Sequence, residues 1–134
     1  MPALTALPDE VTKFHEQLCR DWEHADSTLV EPGMILYIPE EYPWQPTACR
    51  GIEALRNFRD VLHILSDGTF ETTAVGTTSD DSLVAIRCRE TAIRNSSKRD
   101  WTSLWIYILD DGLITETRIF HAVASDDFAD FWCT

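Results

Sequence analysis

The residues best suited to chemistry lie in the second half of the chain, on stretches with strand character. Between Glu116 and His121, Glu116, Arg118 and Phe120 alternate with Thr117, Ile119 and His121, and successive side chains of a strand point to opposite faces. Enclosing both Glu116 and Arg118 on an apolar face costs more than enclosing the other set, so Thr117, Ile119 and His121 are assigned inward. The same argument over Leu83–Arg94 groups Val84, Ile86, Cys88, Glu90 and Ala92 and sends Arg87 and Arg89 to the other face. Glu90 then sits on a largely apolar face, where desolvation is expected to raise its pKa into a range useful for general acid–base work. Glu90 is therefore a candidate for moving a proton, and His121 is the ionisable group of its own inward set. The competing readings are a hydrogen-bonded structural histidine and a carboxylate tolerated at a sheet rim or dimer interface.

Composition narrows what such a site could serve. The 134 residues carry 11 Lys+Arg against 23 Asp+Glu, a net charge of −12, which opposes binding to phosphate backbones and to anionic membrane surfaces. No apolar run approaches the ~20 residues of a membrane span, and 44% hydrophobic residues with five tryptophans argue against disorder. The first ten residues lack a basic region and an extended apolar core, so the expected location is cytoplasmic. Cys19, Cys49, Cys88 and Cys133 form no C-x-x-C pair and read as reduced, mostly buried thiols rather than a zinc site or disulfide framework. Nucleotide-binding, nucleophile-elbow and metalloprotease motifs are missing from the sequence, and nothing in it requires a metal or cofactor.

The elements that must position these groups make one domain, 1–134. From Pro8 to about His24, Val11, Phe14, Leu18 and Trp22 recur at three- and four-residue intervals, one apolar helical stripe with Pro8 in the first turn. His15 lies beside that stripe and reaches either a pocket mouth or solvent. Met34–Ile38 reads as a buried strand, followed by a loop from Pro39 to Pro46 carrying Glu40, Glu41, Tyr42 and Trp44. A second helix follows Gly51, with Ile52, Leu55, Phe58, Val61 or Leu62, and Leu65 on one face, and stops at Ser66-Asp67-Gly68. Thr69–Thr78, Leu83–Arg94, Trp101–Leu109 and Leu113–Val123 read as strands joined in antiparallel hairpins. Asp126-Asp127 is expected to cap a final helical turn. Helices first and a meander afterwards give an α+β class, with helices covering one face of a curved antiparallel sheet.

The order of these elements resembles the nuclear transport factor 2-like (cystatin-like) superfamily, and within it the SnoaL-like polyketide cyclases. The resemblance covers nearly the whole chain. It is carried by Trp22 to Asp26 at the end of the first helix, by Gly51-Ile52-Glu53-Ala54-Leu55-Arg56-Asn57-Phe58, by Asp111-Gly112-Leu113 through His121, and by Phe128-Ala129-Asp130-Phe131-Trp132. It implies a cone-shaped pocket between the sheet and the first helix, with His121 where related enzymes often carry a base. Both faces of Trp101–Leu109 are apolar, so its parity rests on the resemblance: registering Gly112 against ketosteroid isomerases puts Ser103, Trp105 and Tyr107 inward. The outward Leu104, Ile106 and Ile108 would then be covered by a second subunit, making a homodimer.

The expected reaction is cofactor-independent isomerisation, cyclisation or dehydration of a small hydrophobic, carbonyl-bearing metabolite such as a polyketide or terpenoid intermediate. His121 or Glu90 would move the proton, and Tyr37, Tyr107 or Ser103 would hydrogen-bond the developing enolate. Phe14, Leu18, Trp22, Ile38, Trp44, Trp101, Trp105 and Ile119 would line the substrate site. Departures from two relatives are visible. Ile38 stands where ketosteroid isomerases carry an aspartate, and the limonene epoxide hydrolase set is incomplete, with Arg99 and Asp100 adjacent and Ile119 in place of an aspartate. A non-catalytic module of the same fold, holding a hydrophobic ligand or a partner, is the alternative.

Overall fold

A computed structural model describes residues 2–39, 42, 44, 46–122, 128 and 130–132, with residues 2–8 described by their backbone alone. Helix α1 (Pro2–Arg20) leads through two short 3-10 turns into β1 (Val30–Tyr37) and β2 (Ala48–Arg50). Helix α2 (Ile52–Leu65) follows, and then β3 (Glu71–Ser79), β4 (Leu83–Arg94), β5 (Ser97–Asp110) and β6 (Leu113–Ala122). The helix predicted from Pro8 to His24 thus begins six residues earlier and ends at Arg20, with Trp22–His24 a separate 3-10 turn.

The six strands form one sheet in the order β2-β1-β6-β5-β4-β3. Strands β3 to β6 are the expected antiparallel meander, but β1 pairs with β6 in parallel, so the sheet is mixed and not wholly antiparallel. Helix α2 carries the chain from the β2-β1 edge to the far edge, and three hairpins return it to β1 on β6. Strand β5 also starts four residues before its expected limit. Asn95 and Ser96 both take positive φ (51° and 66°), which closes a two-residue hairpin and leaves Ser97–Asp100 free to pair with β4.

The helices cover one face of the sheet. Val11, Phe14 and Leu18 of α1 and Leu55, Phe58 and Leu62 of α2 are buried against Met34, Leu36 and Ile38, and against the inward sets of β4, β5 and β6. Gly51 enters α2 at φ 84°, its N–H donating to the Met34 carbonyl at 2.7 Å. Gly68 at φ 79° closes the far end, donating to the His63 carbonyl, so the predicted left-handed stop is present. On the outer face Leu104 and Phe120 stand opposite each other in register and remain exposed.

Candidate functional site

Three side chains line up across the inner face where β4, β5 and β6 run side by side: Cys88 is paired with Ser103, and Ser103 with His121. Two residues along β4, Glu90 is paired with Trp101. The alternation arguments therefore hold for β4 and β6, and the register assumed for β5 holds as well, since Trp101, Ser103, Trp105 and Tyr107 are all buried. The space expected to be an open cone is occupied here by these aromatic rings, with Phe14 edge-on to Tyr107 and Leu18 and Ile119 closing the packing.

Glu90 lies at the centre of a buried polar cluster. Its Oε1 accepts from Trp101 Nε1 at 2.8 Å and lies 3.6 Å from His121 Nε2. Its Oε2 accepts from the Thr72 hydroxyl at 2.9 Å and faces Arg59 Nη1 at 3.9 Å. The expected upward pKa shift is overturned. Burial is the largest single influence and pushes the carboxyl up, but the hydrogen bond and charge of His121, the Arg59 guanidinium and the Thr72 hydroxyl together hold it below the ordinary value. Glu90 is a carboxylate, ready to accept a proton rather than give one.

His121 completes the cluster. Its side chain has no exposure, Nε2 is 3.2 Å from the Tyr42 hydroxyl, and Nδ1 is enclosed without a partner among the described residues. Ser103 Oγ, its neighbour on β5, is likewise enclosed and unpartnered among them. Tyr42 belongs to the expected loop but is packed in the core among His121, Phe58 and Phe128. Trp44 stacks edge-on to Tyr42 and Trp132 and so covers this end from outside. Glu40, Glu41, Asp126, Asp127, Val123 and Cys133 lie outside the described residues.

A second cluster surrounds His15, which is buried and not at the surface. Its Nδ1 is 2.6 Å from the Tyr107 hydroxyl, and Nε2 is 3.3 Å from Cys88 Sγ and 3.5 Å from Cys19 Sγ. Burial above all, and then the charge of Arg59, lower its pKa to about 3, against a smaller opposing pull from Glu90. The ring is neutral, with one nitrogen hydrogen-bonded to the Tyr107 hydroxyl and the other facing the two thiols. Burial likewise raises the Cys19 thiol to about 11 and the Cys88 and Tyr107 groups well above their ordinary values. Both thiols stay protonated and are poor nucleophiles.

Two expected site residues stand elsewhere. Tyr37 shares a face with Ile35, opposite Met34, Leu36 and Ile38, and its ring lies under the outward Arg118 guanidinium at 4.6 Å. It cannot serve an inner-face enolate, whereas Ile38, the next residue, does point into the core. Trp22 stacks on His63 at 4.1 Å and supports that side chain from outside. Conversely, Arg59 is a site residue that the alternation arguments do not reach. It is wholly buried on α2, donates to Thr72 Oγ1 at 2.9 Å and to the Cys19 carbonyl at 3.2 Å, and lies 4.7 Å from the Phe70 ring centroid. Beside it, between α1 and β3, runs a groove of about 610 Å³ whose lining includes His15, Cys19, His63, Phe70 and Thr72. No group of three His, Cys, Asp or Glu among the described residues is placed to hold a metal ion, and no described helix is long and apolar enough to cross a membrane.

The architecture that carries these clusters is the α+β nuclear transport factor 2-like topology, with N-terminal helices on a mixed sheet. Solved structures share it along most of the chain. Bal32a, from a soil-derived mobile gene cassette, superposes with a TM-score of 0.82 at 17% identity, covering 97% of this chain and 98% of its own. A putative SnoaL-like polyketide cyclase from a Jannaschia species gives 0.67 at 17% identity, with 90% and 91% covered. A nuclear transport factor 2-like protein from Anabaena variabilis gives 0.70 at 10% identity, with 92% of each chain covered. At these identities the likeness is one of fold. No family model matches the sequence, and no curated protein matches it.

Proposed function

We propose that the chain is a cofactor-independent enzyme that moves a proton on a small, mostly apolar, carbonyl-bearing compound, in an isomerisation, cyclisation or dehydration. The observation that carries this reading is Glu90, buried and ionised on the inner face, with His121 Nε2 3.6 Å away. Glu90 takes a proton from carbon and returns it, while the His121 ring beside it steadies the carboxylate by hydrogen bond and charge. Nε2 of that ring faces both the carboxylate and the Tyr42 hydroxyl, and Nδ1 is enclosed with no partner among the described residues. Trp101 and Thr72 hold the carboxylate in place, and the surrounding rings keep water out. The likeness in fold to a putative SnoaL-like polyketide cyclase supports the reading.

The test works without the natural substrate. Incubated in D2O with a panel of cyclic ketones and β-diketones, the protein should introduce deuterium next to the carbonyl, with the exchange followed by proton NMR. Glu90→Gln and His121→Ala should each slow this by ~10²–10⁴ while the fold persists. Full exchange in both variants, or none in the parent across the panel, refutes the reading.

One observation favours a second reading, a module that binds a hydrophobic ligand without turnover: Trp105 and Tyr107 fill the space expected to be an open cone. Tight binding of such a ligand with no exchange would support it. Either reading includes a homodimer through the outer face, because Leu104 and Phe120 are apolar, adjacent and exposed.

A further inference from the structure

Arg59 is wholly buried with only an indirect, long contact to Glu90. A guanidinium removed from water requires compensating charge and a full set of acceptors, yet its carboxylate partner is 3.9 Å away with the Thr72 hydroxyl between them, and its Nε has no partner among the described residues. Three residues in contact with the guanidinium, Cys19, Phe70 and Thr72, line the groove between α1 and β3. The groove floor is thus an oxygen, Thr72 Oγ1, that accepts from a buried cation and donates to a buried carboxylate, each at 2.9 Å. An enol hydroxyl calls for the same two neighbours.

We propose that this groove is the substrate port, and that Arg59 is the group that stabilises the enolate oxygen of a planar ketone entering in its neutral form. The inference rests on the proton-transfer reading and gives its site an entrance and a charge-stabilising residue. Arg20 stands on the groove lining with Glu16 and Glu71, so the entrance itself is only weakly acidic, and it is the chain's net charge of −12 that disfavours a ligand already anionic. Negative charge is instead favoured once formed, at the floor. Arg59 and Glu90 are buried behind the Thr72 hydroxyl, which the substrate oxygen replaces on entry; the C–H bond then breaks, its proton passes to Glu90, and its electron pair moves onto the carbonyl oxygen facing Arg59. Reprotonation at the same or a conjugated carbon returns the neutral product, with no oxidant or reductant involved. A cation fixed where charge develops is the most effective kind of transition-state stabilisation, and Arg59 supplies it where Tyr37 does not.

A binding experiment separates this inference from the catalytic one. 7-Hydroxycoumarin, a planar phenol whose ionised form absorbs at longer wavelength, mimics an enol that becomes an enolate. Titrated with protein two pH units below its own pKa, it should bind and show the phenolate band. Ala74→Trp places a bulky ring in the groove from an exposed position on the edge strand and should weaken binding at least tenfold without touching the core. Arg59→Lys should keep binding and lose much of the phenolate band, and Arg59→Met should lose it altogether, each checked for fold by circular dichroism. The proposal fails if the parent does not bind the probe, if the bound probe stays protonated, or if Ala74→Trp binds as the parent does. Phenolate binding without deuterium exchange would sustain the anion site and refute the proton-transfer reading. Exchange without phenolate binding would do the reverse.

Discussion

Acid should unfold this protein partly through one histidine. His15 ionises near 3 in the fold and near 6.5 when released, mainly because burial denies its charged form water. Below pH 6.5 the unfolded chain takes up a proton that the folded chain refuses, so stability from this group is complete above that pH and lost as the pH falls towards 3. The loss is ~1.4 kcal/mol for each pH unit, or on the order of 2.7 kcal/mol at about pH 4.5. Against a total stability of ~5–15 kcal/mol this is a large share. His15→Gln removes the titration and replaces one hydrogen-bonding side chain by another, so at pH 7 it should be the less stable protein by about 1–3 kcal/mol, the cost of a disturbed buried partner for Tyr107. Urea unfolding of both proteins at pH 7, 5.5 and 4.5 should show this difference shrink and then vanish or reverse. Glu90 also loses its stabilising ionisation in acid, its pKa being held down in the fold, but that loss is common to both proteins and leaves the difference largely intact. A gap that stays constant from pH 7 to pH 4.5, or an NMR titration of His15 centred near 6.5, would show that the ring is not sealed in the core.

Two substitutions on the opposite face test the placement of the site. Tyr37→Phe should leave deuterium exchange within twofold of the parent, because the hydroxyl lies on the Arg118 side of the sheet; a drop of tenfold or more would return Tyr37 to the site. Phe120→Asp should convert a dimer to monomers in sedimentation velocity at micromolar concentration, since it puts a charge beside Leu104 on the exposed apolar face. A parent that sediments as a monomer refutes the expected interface.

How far the sequence could be read depended on whether a single strand or helix carried its own contrast. Charged and apolar residues alternate along β4 and β6, so a local rule separates their faces. Strand β5 has no such contrast, and only a registered relative could orient it. The parallel pairing of β1 with β6 is invisible in sequence because no turn joins them, and β1's position follows from where the meander ends. Strand β1 and helix α2 do carry a legible signal. Tyr37 and Ile38 are adjacent on one strand and cannot both point inward, and Met34, Leu36 and Ile38 already share the apolar parity. Arg59 lies four residues after Leu55 and three before Leu62, squarely within the stripe that α2 buries. A charged residue between apolar ones reads most simply as an edge of the stripe, which hides it among surface charges.

The two buried charges explain each other better than either explains itself. Glu90 in the apolar set of β4 predicts a cation somewhere in another element's apolar stripe, since a lone buried carboxylate would take up a proton. Arg59 is the charged residue that α2 buries, and it meets Glu90 across Thr72. Had the pair existed only to stabilise the fold, direct bidentate contact would be the favoured geometry, or replacement of both by apolar residues, which often stabilises. A hydroxyl held between them at the edge of a groove keeps the cation and carboxylate apart by about the width of one oxygen atom. That spacing weakens the pair as a structural bond and suits a site where a substrate oxygen acquires charge.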